Sequence, residues 1–457
     1  MRATTIPERL MADQAKALPT KRFFVRMITR DISIEDCILD LLDNALDGAS
    51  KEVARRHGSL DRENAYDGFW ARIKIKDNSF CIEDNCGGIP LAEAKNYAFY
   101  FGKPDPDVNG GVPAIQTAEH SIGLYGIGMK RAIFRIGKMA KVVSSTSAGA
   151  FEVDIDVSKW EKSGEWAFDL TECKAKTPGT TITLSPLADF VNEEVNSPEF
   201  LDKVWKSIAR DYSFFIQKGF KVFMGDSEVN PYQFTLREGG GFSPAYLHYT
   251  DEETGVRVTI KAGMAGPPPD EGSVDEKMKE VEYCGWYVIC NDRIVIAANK
   301  NDKTVWTEGG SFPSWHPQYN GFMGLAFFES QDPALLPWTT TKRDIEVHAP
   351  VYRRALAKMR DATREWIDYT NQRKGYLEQA KAIERQATSV PIKRISEIKA
   401  ISVPRFEAKP KVRMANINYS VTLDDLKAVA TALGNEHMSY RDVGIETFKF
   451  YKENEVD

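Results

Sequence analysis

The sequence predicts an α+β fold with two sheet-containing domains followed by helices, and three observations support this prediction. Runs of alternating apolar and polar residues, beginning with ARIKIKDNSFCIE at 71–83, indicate strands that pair across an Asp-Asn turn. A second set of strand-like runs follows after residue 220. Beyond residue 350 the pattern becomes helical and rich in Arg, Ala, Glu and Lys. The 457 residues are enough for two or three domains, each with its own core.

The first predicted domain, residues 31–190, is an α/β sandwich in which helices cover one face of a mixed sheet. Three strand-like runs follow the first hairpin, each bounded by Gly, Ser or Pro: AKVVSST, FEVDIDV and TTITLSPL. Residues 1–30 precede this domain, and their basic and aromatic character suits an N-terminal arm.

The second predicted domain, residues 191–347, is also of the α+β class. It begins with a helical stretch near 193–216. Its strand-like runs are KVFMGD, VRVTIKAGM, GWYVICNDRIVIAA and GFMGLAFFE. These runs are enough for a separate sheet in a domain that follows the first along the chain.

The remainder of the chain divides into three shorter segments. We predict a helical segment at 348–390, a basic linker punctuated by proline at 391–415 and a small helical unit at 416–457. The last unit contains two short amphipathic helices. This pattern fits a partner-docking or dimer helix as well as a small packing module.

Composition limits the classes of protein to which the chain can belong. Hydrophobic residues make up 42% and charged residues 28%, as in globular proteins, and no apolar run approaches the roughly 20 residues that cross a bilayer. The six cysteines form no CxxC pair and the six histidines no HExxH, which argues against a zinc site or a disulfide framework. The first residues lack the apolar core of a secretion signal, so we expect a cytoplasmic protein without a membrane partner.

Charge is distributed unevenly along the chain. The net charge is −6, which argues against a general nucleic-acid coat. Residues 342–413 nevertheless contain 18 Lys or Arg and 9 Asp or Glu, a net +9, which leaves −15 for the rest. This basic region fits a solvated helical face, and it also fits a surface that follows nucleic-acid phosphates.

A helix is predicted from Ile34, because Ser33 and Asp36 form a capping-box pattern. Apolar residues occupy one face of this helix, and the other face is acidic. The acidic face carries Asp36, Asp40, Asp43, Asn44 and Asp47. Carboxylates at this spacing repel one another, so the pattern predicts a cation against them. Taken alone, the pattern fits a solvent-facing stripe or a metal-binding face.

Three further motifs follow this helix in order. IEDNCGGIP at 82–90 places a carboxylate at a strand end before two glycines, which let main chain approach a ligand closely. SIGLYGIGMKRA at 121–132 is a glycine loop that leads into a helix and so directs N–H groups at an anion. TPGTTITL at 177–184 begins a strand with Gly-Thr. Each motif is weak evidence by itself, and the second also resembles part of a dinucleotide-binding fingerprint.

The order and spacing of these four segments resemble the GHKL ATPase superfamily, which contains gyrase, a class of heat-shock chaperones, histidine kinases and MutL. The resemblance covers about residues 20–190, and it implies that the four segments enclose ATP. It further implies that Asn44 binds Mg²⁺, which suits an amide oxygen, and that Asp84 accepts a hydrogen bond from the adenine amino group. Gly88 would admit the edge of the base. The remaining implied contacts are Gly123, Gly126, Gly128 and Lys130 to the phosphates, and Thr180 beneath the adenine.

Two positions depart from the family pattern. Members that hydrolyse ATP usually have Glu four residues before the magnesium Asn, and this chain has Asp40. We expect Asp40 to act on the attacking water, with a carboxylate one methylene shorter than usual, so this change affects turnover more than binding. Cys86 stands where the first glycine of the turn is commonest, and Gly87 is positioned to supply the flexibility instead.

The second domain resembles the ribosomal-protein-like transducer domain of MORC proteins, MutL, gyrase and the chaperones. It carries NDRIVI at 291–296 and LPWTTTKRDIE at 336–346. The resemblance implies that Lys342 reaches the γ-phosphate of ATP, although a lysine in this loop also fits an ordinary surface charge. Histidine kinases carry the ATP domain at the C-terminus, whereas here it comes first, so the layout is nearest to MORC- and MutL-type ATPases.

The function implied is that of a slow Mg-ATP-dependent ATPase in which ATP closes a homodimer. We expect a MORC- or MutL-like clamp that acts on DNA through region 342–413 or with a protein effector, with antiviral defence as one setting. The alternatives are a chaperone-like ATPase that remodels a protein client and a non-hydrolysing nucleotide sensor. The second alternative stays open because of Asp40.

Overall fold

The computed structural model describes residues 19–60, 62–102, 122–123, 126–270, 282–307, 310–406 and 415–456. The first 18 residues of the predicted arm and residues 407–414 of the predicted linker lie outside this description. The chain divides into two compact units, Met1–Arg405 and Phe406–Asp457. The larger unit contains both sheet domains.

The first sheet has eight strands in the order β5-β4-β3-β6-β2-β1-β7-β8. The strands are β1 Trp70–Lys76, β2 Ser79–Asp84, β3 Met139–Thr146, β4 Gly149–Asp156, β5 Leu170–Cys173, β6 Gly179–Leu184, β7 Lys221–Met224 and β8 Ser227–Glu228. All neighbours pair antiparallel except β1 and β7, which are parallel. The mixed sheet and its helices confirm the predicted α+β class.

The helices of this part of the chain pack around the sheet. They are α1 Lys21–Thr29, α2 Ile34–His57, α3 Leu91–Glu93, α4 Gly128–Ile136, α5 Val157–Lys162, α6 Asp189–Val195, α7 Pro198–Asp211 and α8 Ser213–Gln217. Helix α2 begins as its sequence predicts, because the Ser33 hydroxyl accepts a hydrogen bond from the Asp36 N–H. It ends at Gly58, whose left-handed conformation closes the last turn. Helices α2 and α4 lie against each other.

Strand β7 corrects the predicted division between the domains. The sequence assigns KVFMGD to the second domain, yet β7 pairs in parallel with β1 and extends the first sheet. The boundary near residue 190 therefore does not separate the two sheets. The chain between β1 and β7 contains strands β2–β6 and helices α3–α8, which more than satisfies the long connection that a parallel pairing requires.

The second sheet has five strands in the order β10-β11-β14-β12-β13. These are β10 Ala245–Thr250, β11 Arg257–Met264, β12 Gly285–Cys290, β13 Arg293–Asn299 and β14 Phe322–Glu329. Helix α9, Pro350–Arg373, packs against β11 and β14, and helix α10, Leu377–Glu384, follows it. Every residue of β12 is buried, so this strand lies in the core of the domain.

The described part of the predicted linker is packed rather than extended into solvent. Strand β15, Thr388–Pro391, pairs with β9, Thr235–Glu238. Ile392 and Ile395 are buried in the same apolar cluster as strand β12 residues. Lys399 continues this contact by pairing through its main chain with Tyr246. The apolar residues between the prolines explain this packing, because they bury surface that a free linker would expose.

The smaller unit contains two helices, α11 at Leu423–Ala432 and α12 at Tyr440–Glu455. Thr422 and Ser439 cap the two helices, each accepting a hydrogen bond from an N–H three residues later. None of the helices in the described part of the chain is both long and apolar enough to cross a membrane.

Candidate functional site

One cavity of about 680 Å³ lies between helix α2, the end of β2, the segment before α4, strand β6 and the loop around Lys342. The ten residues to which the family resemblance assigns a role all line it: Asp40, Asn44, Asp84, Gly88, Gly123, Gly126, Gly128, Lys130, Thr180 and Lys342. The sheet end of the cavity consists of Asp84, Gly88 and Thr180. The helix end consists of Asp40, Asn44, Lys130 and Lys342.

At the sheet end, main-chain hydrogen bonds hold the Asp84 carboxylate. The N–H groups of Cys86 and Thr180 donate to its Oδ1 atom at 2.8 and 3.3 Å. Burial raises the pKa of Asp84 to about 6, although these two hydrogen bonds oppose the rise. The hydroxyls of Thr180 and Ser144 lie 2.9 Å apart, and Ser144 also accepts from the Ile89 N–H at 2.8 Å. Three chain segments are thus joined at this end.

The turn after β2 requires glycine at its last two positions, Gly87 and Gly88. Gly87 and Gly88 have φ values of +91° and +74°, in the left-handed region. A Cβ atom added at Gly88 would lie 2.0 Å from the carbonyl oxygen of Ser145. Cys86 is buried and has no positive φ, so the departure from glycine at that position leaves the turn intact.

At the helix end, Asp40 is 5% exposed and forms an ion pair with Arg131 of helix α4. The Arg131 Nη2 group donates to Asp40 Oδ2 at 2.5 Å. Burial raises the pKa of Asp40 against the opposing charges of Lys342 and Arg131. Sequence reasoning missed Arg131. A signal existed, because cations in the first turn of a helix oppose its dipole and therefore need a nearby carboxylate.

Asp43, to which the sequence analysis assigned no role, is 1% exposed and accepts hydrogen bonds from three side chains outside helix α2. Lys342 Nζ donates to its Oδ2 at 2.9 Å, while the Tyr212 hydroxyl and Arg293 Nε donate to its Oδ1 at 2.7 and 3.3 Å. Burial opposes ionisation, but Lys342 and Arg293 outweigh it and lower the pKa of Asp43. The cation predicted against the acidic face is thus supplied by the chain itself.

Lys342 occupies the tip of a hairpin loop between Trp338 and Ile345, whose main chains pair. Its φ of +54° places it in the left-handed region, and its side chain reaches Asp43. Burial disfavours the charged form, but Asp43, Asp40 and Asp47 together raise the pKa of Lys342. It is 8% exposed, which is inconsistent with an ordinary surface lysine.

The neighbouring Arg343 fixes the same loop to helix α2. Its guanidinium approaches Asp36 at 2.6 Å, Asp211 at 2.8 Å and Glu35 at 3.4 Å. Sequence reasoning missed this anchor. Ion pairs between positions so far apart in the chain leave no local pattern.

Asp47 holds the main chain that precedes helix α4. Its two oxygens accept hydrogen bonds from the Ile122 and Gly123 N–H groups, each at 2.6 Å. Burial raises the pKa of Asp47, while Lys342 and these N–H groups oppose the rise. The spacing of Asp43 and Asp47 from Asp40 on one helix face is the signal that relates them to one site.

Lys130 is buried and its Nζ atom donates to the Ala98 carbonyl at 2.9 Å. Burial lowers the pKa of Lys130 to about 7, because the charged form loses its hydration. Asn44 differs from its neighbours on helix α2, since its side chain is exposed into the cavity.

The donor groups at the helix end fit a magnesium ion that is bound together with phosphates. Within the described residues no cluster of three His, Cys, Asp or Glu side chains is placed to hold a metal by itself. Mg²⁺ is commonly bound by one or two protein oxygens and several phosphate oxygens or waters. The exposed Asn44 amide has one such oxygen facing the cavity.

The family comparison agrees with this geometry. Residues 32–183 match the family model described as histidine kinase-, DNA gyrase B- and HSP90-like ATPase. This part of the chain is therefore a domain of the GHKL ATPase superfamily, whose members generally bind and hydrolyse ATP.

Two curated relatives are chaperone proteins HtpG. The one from Oceanobacillus iheyensis is 28% identical over 200 residues, which cover 42% of this chain and 30% of that protein. The one from Geobacter sulfurreducens is 28% identical over 185 residues, or 39% of this chain and 27% of that protein. The chain matches less than a third of the length of either relative.

Proposed function

We propose that the chain binds Mg-ATP in the cavity, hydrolyses it slowly and responds to the presence of the γ-phosphate. The observation that carries this proposal is the convergence of ten motif residues, from separate segments, on one cavity of about 680 Å³. Asp84, Gly88 and Thr180 receive the adenine at the sheet end. Gly123, Gly126, Gly128 and Lys130 contact the phosphates.

The helix end has the groups needed for hydrolysis. Asn44 would hold Mg²⁺, and the ion would supply positive charge to offset that of the phosphates. Asp40 accepts a proton from the attacking water, a contribution worth about 10²–10⁴-fold in rate. Lys342 exchanges part of its contact with Asp43 for the γ-phosphate, so loss of that phosphate returns Lys342 to Asp43.

Closure of a homodimer by ATP forms part of the same proposal. The hydrogen bond from Lys342 to Asp43 supports a conformational response to nucleotide. It joins the loop before helix α9 to helix α2, which lines the cavity. A ligand shifts such an equilibrium only by its differential affinity for the two arrangements. The γ-phosphate has this property, since Lys342 reaches it in one arrangement alone.

The proposal is tested by measuring affinity, turnover and molecular mass with ATP, ADP and a non-hydrolysable ATP analogue. We expect Asn44→Ala to weaken Mg-ATP binding by at least about tenfold, because a ligand to the ion is lost. We expect Asp40→Ala to retain binding and analogue-dependent dimerisation while turnover falls by at least about 100-fold. Asn454→Ala, on the exposed face of helix α12, is the matched control.

Two outcomes would contradict the proposal. One is wild-type protein that binds neither ATP nor its analogue. The other is a pair of variants, Asn44→Ala and Asp40→Ala, that match the wild type in binding, turnover and mass. Loss of binding in the Asn454→Ala control would point to general instability instead.

The target of the proposed ATPase is either a protein client or DNA. The similarity to two chaperone proteins HtpG favours remodelling of a protein client. The clamp on DNA rests on the basic region, residues 342–413. Six cations in that region are paired with carboxylates outside it: Lys342, Arg343, Arg354, Arg373, Lys381 and Lys399. These pairs reduce the charge available to phosphates. DNA binding that weakens steeply with salt supports the clamp, and its absence at low salt supports the client.

A further inference from the structure

The ion pair between Asp40 and Arg131 gives the shorter acidic side chain a specific geometry. We propose that Arg131 is a positioning residue that holds the Asp40 carboxylate for the attacking water, so that the site is built around Asp rather than Glu. This inference rests on the proposed hydrolysis of ATP, and it assigns a role to a residue of the glycine-loop motif that the family resemblance left without one.

The first line of evidence is the close approach of helices α2 and α4 at this point. A Cβ atom added at Gly128 would lie 3.3 Å from the Cβ, Cγ and Oδ2 atoms of Asp40. Such contacts are tight, so the first turn of α4 lies directly against the Asp40 side chain. The space beside Asp40 is therefore too small for a longer side chain to fit without a shift of α4.

The second line of evidence is the contact itself. Arg131 Nη2 donates to Asp40 Oδ2 at 2.5 Å, and both side chains are at least nine-tenths buried. A charge-assisted hydrogen bond of this kind fixes the orientation of a carboxylate more firmly than a neutral one. Within the described residues no donor is placed on the other oxygen, Oδ1, which stays available to a water molecule.

The third line of evidence is the cost of placing Arg131 where it is. A cation in the first turn of helix α4 opposes the helix dipole, and its Nε atom is buried without a hydrogen-bond partner among the described residues. Both features disfavour Arg131 as a stabilising residue alone. A functional contact to Asp40 explains its position better than packing does.

A purely structural ion pair between α2 and α4 is the competing explanation. It predicts that neutralising Arg131 lowers stability and leaves the turnover of the folded fraction unchanged. A direct contact with phosphate is a second competitor, and it predicts weaker binding of ATP. The positioning role predicts a loss confined to kcat.

The test compares kcat and KM for ATP, the Kd for ADP and the unfolding temperature in the wild type, Arg131→Gln and Arg131→Lys. We expect Arg131→Gln to lower kcat by about 10- to 100-fold while KM and Kd stay within about twofold. Arg131→Lys, which keeps the charge, should recover part of kcat. Arg135→Gln is the matched control, because Arg135 lies one turn along the same helix against Phe190 and outside the cavity.

Two further variants complete the test. Asp40→Glu should lower kcat, because the added bond of about 1.5 Å moves the carboxylate into the Arg131 guanidinium. The double variant Asp40→Asn, Arg131→Gln should be no slower than Asp40→Asn alone, since both changes remove one function. A rise in kcat with Asp40→Glu would overturn the inference.

The inference and the proposed function fail in different ways. Wild-type protein without ATPase activity removes the proposed hydrolysis, and the inference with it. Active wild-type protein with an unchanged or faster Arg131→Gln variant overturns the inference alone. A fall in ATP affinity larger than the fall in kcat assigns Arg131 to phosphate binding and likewise overturns it.

Discussion

The two ends of the cavity are held together by different kinds of interaction. At the sheet end, main-chain N–H groups and strand pairing fix Asp84, Gly88 and Thr180. At the helix end, ion pairs hold Asp40 and Lys342, and their partners come from other elements. Hydrogen bonds within a sheet persist when a ligand binds, whereas an ion pair is open to competition from each new charge. We infer that the sheet end is preformed and that the helix end rearranges.

The largest expected effect comes from breaking the helix end at Asp43. Asp43→Asn leaves the buried cations Lys342 and Arg293 without their shared carboxylate, and we expect the free energy of unfolding to fall by about 3–5 kcal/mol. Tyr212→Phe removes one hydrogen bond to the same carboxylate and should cost about 1 kcal/mol. Denaturant unfolding measures both losses.

The same variant sharpens the comparison of the two ends. A non-hydrolysable ATP analogue should recover more of the lost stability than ADP does, because its γ-phosphate replaces the negative charge beside Lys342. Equal recovery by the two nucleotides would show that the helix end does not sense the γ-phosphate.

A smaller effect is expected from breaking the sheet end at Gly88. A Cβ atom added at Gly88 would lie 2.0 Å from the Ser145 carbonyl oxygen. The φ of Gly88, +74°, is also strained for any residue with a Cβ atom. We expect Gly88→Ala to lower the free energy of unfolding by about 2–3 kcal/mol and to weaken ATP and ADP equally. Calorimetry and denaturant unfolding test this expectation. Gly149→Ala is the control, because no atom lies within 4 Å of its added Cβ. Selective weakening of ATP would contradict a preformed sheet end.

The smallest effect is the dependence of binding on pH. In the proposed function, Asp84 accepts from adenine as a carboxylate; burial raises its pKa to about 6, so affinity should fall by up to about tenfold per unit as pH drops below 6. In the same proposal Lys130 binds phosphate as a cation; burial lowers its pKa to about 7, so affinity for ATP should also fall as pH rises above 7. ATP should therefore bind best between these values.

Adenosine separates the two ends in this experiment. It has no phosphate for Lys130, so its affinity should show the acidic fall alone. Lys130→Met should remove the alkaline fall for ATP and leave the acidic fall unchanged. Titration calorimetry at several pH values measures the affinity on the acidic and alkaline sides. A fall in the affinity for adenosine at alkaline pH would place Lys130 in a different role.

Local properties of the sequence marked segments that line the cavity, and the family resemblance selected the residues within them. Helical periodicity puts Asp40 and Asn44 on one face of α2, and the conformational freedom of glycine marks Gly88 as a point of close approach. These properties depend on neighbours a few positions away. The strands of the first sheet up to residue 184, apart from β5, follow from the same local patterns.

Contacts between distant segments were beyond the same reasoning. Asp43 meets Arg293 and Lys342 across 250 and 299 positions of the chain. Strand β7 joins the first sheet beside β1, although its residues follow those of the helices assigned to the second domain. The packing of Ile392 and Ile395 likewise depends on a surface supplied by earlier strands. Charge and apolarity show that such residues need partners, but not which ones.

The loop that carries Lys342 and Arg343 ends only a few residues before helix α9 begins at Pro350. With 24 residues at about 1.5 Å each, α9 is a rod of about 36 Å. A tilt of about 10° at the loop would displace the far end of such a rod by about 6 Å. Because α9 packs on β11 and β14, the second sheet would travel with it. A tilt of that size at the loop would thus give a displacement at the second sheet large enough to change its contacts with another molecule.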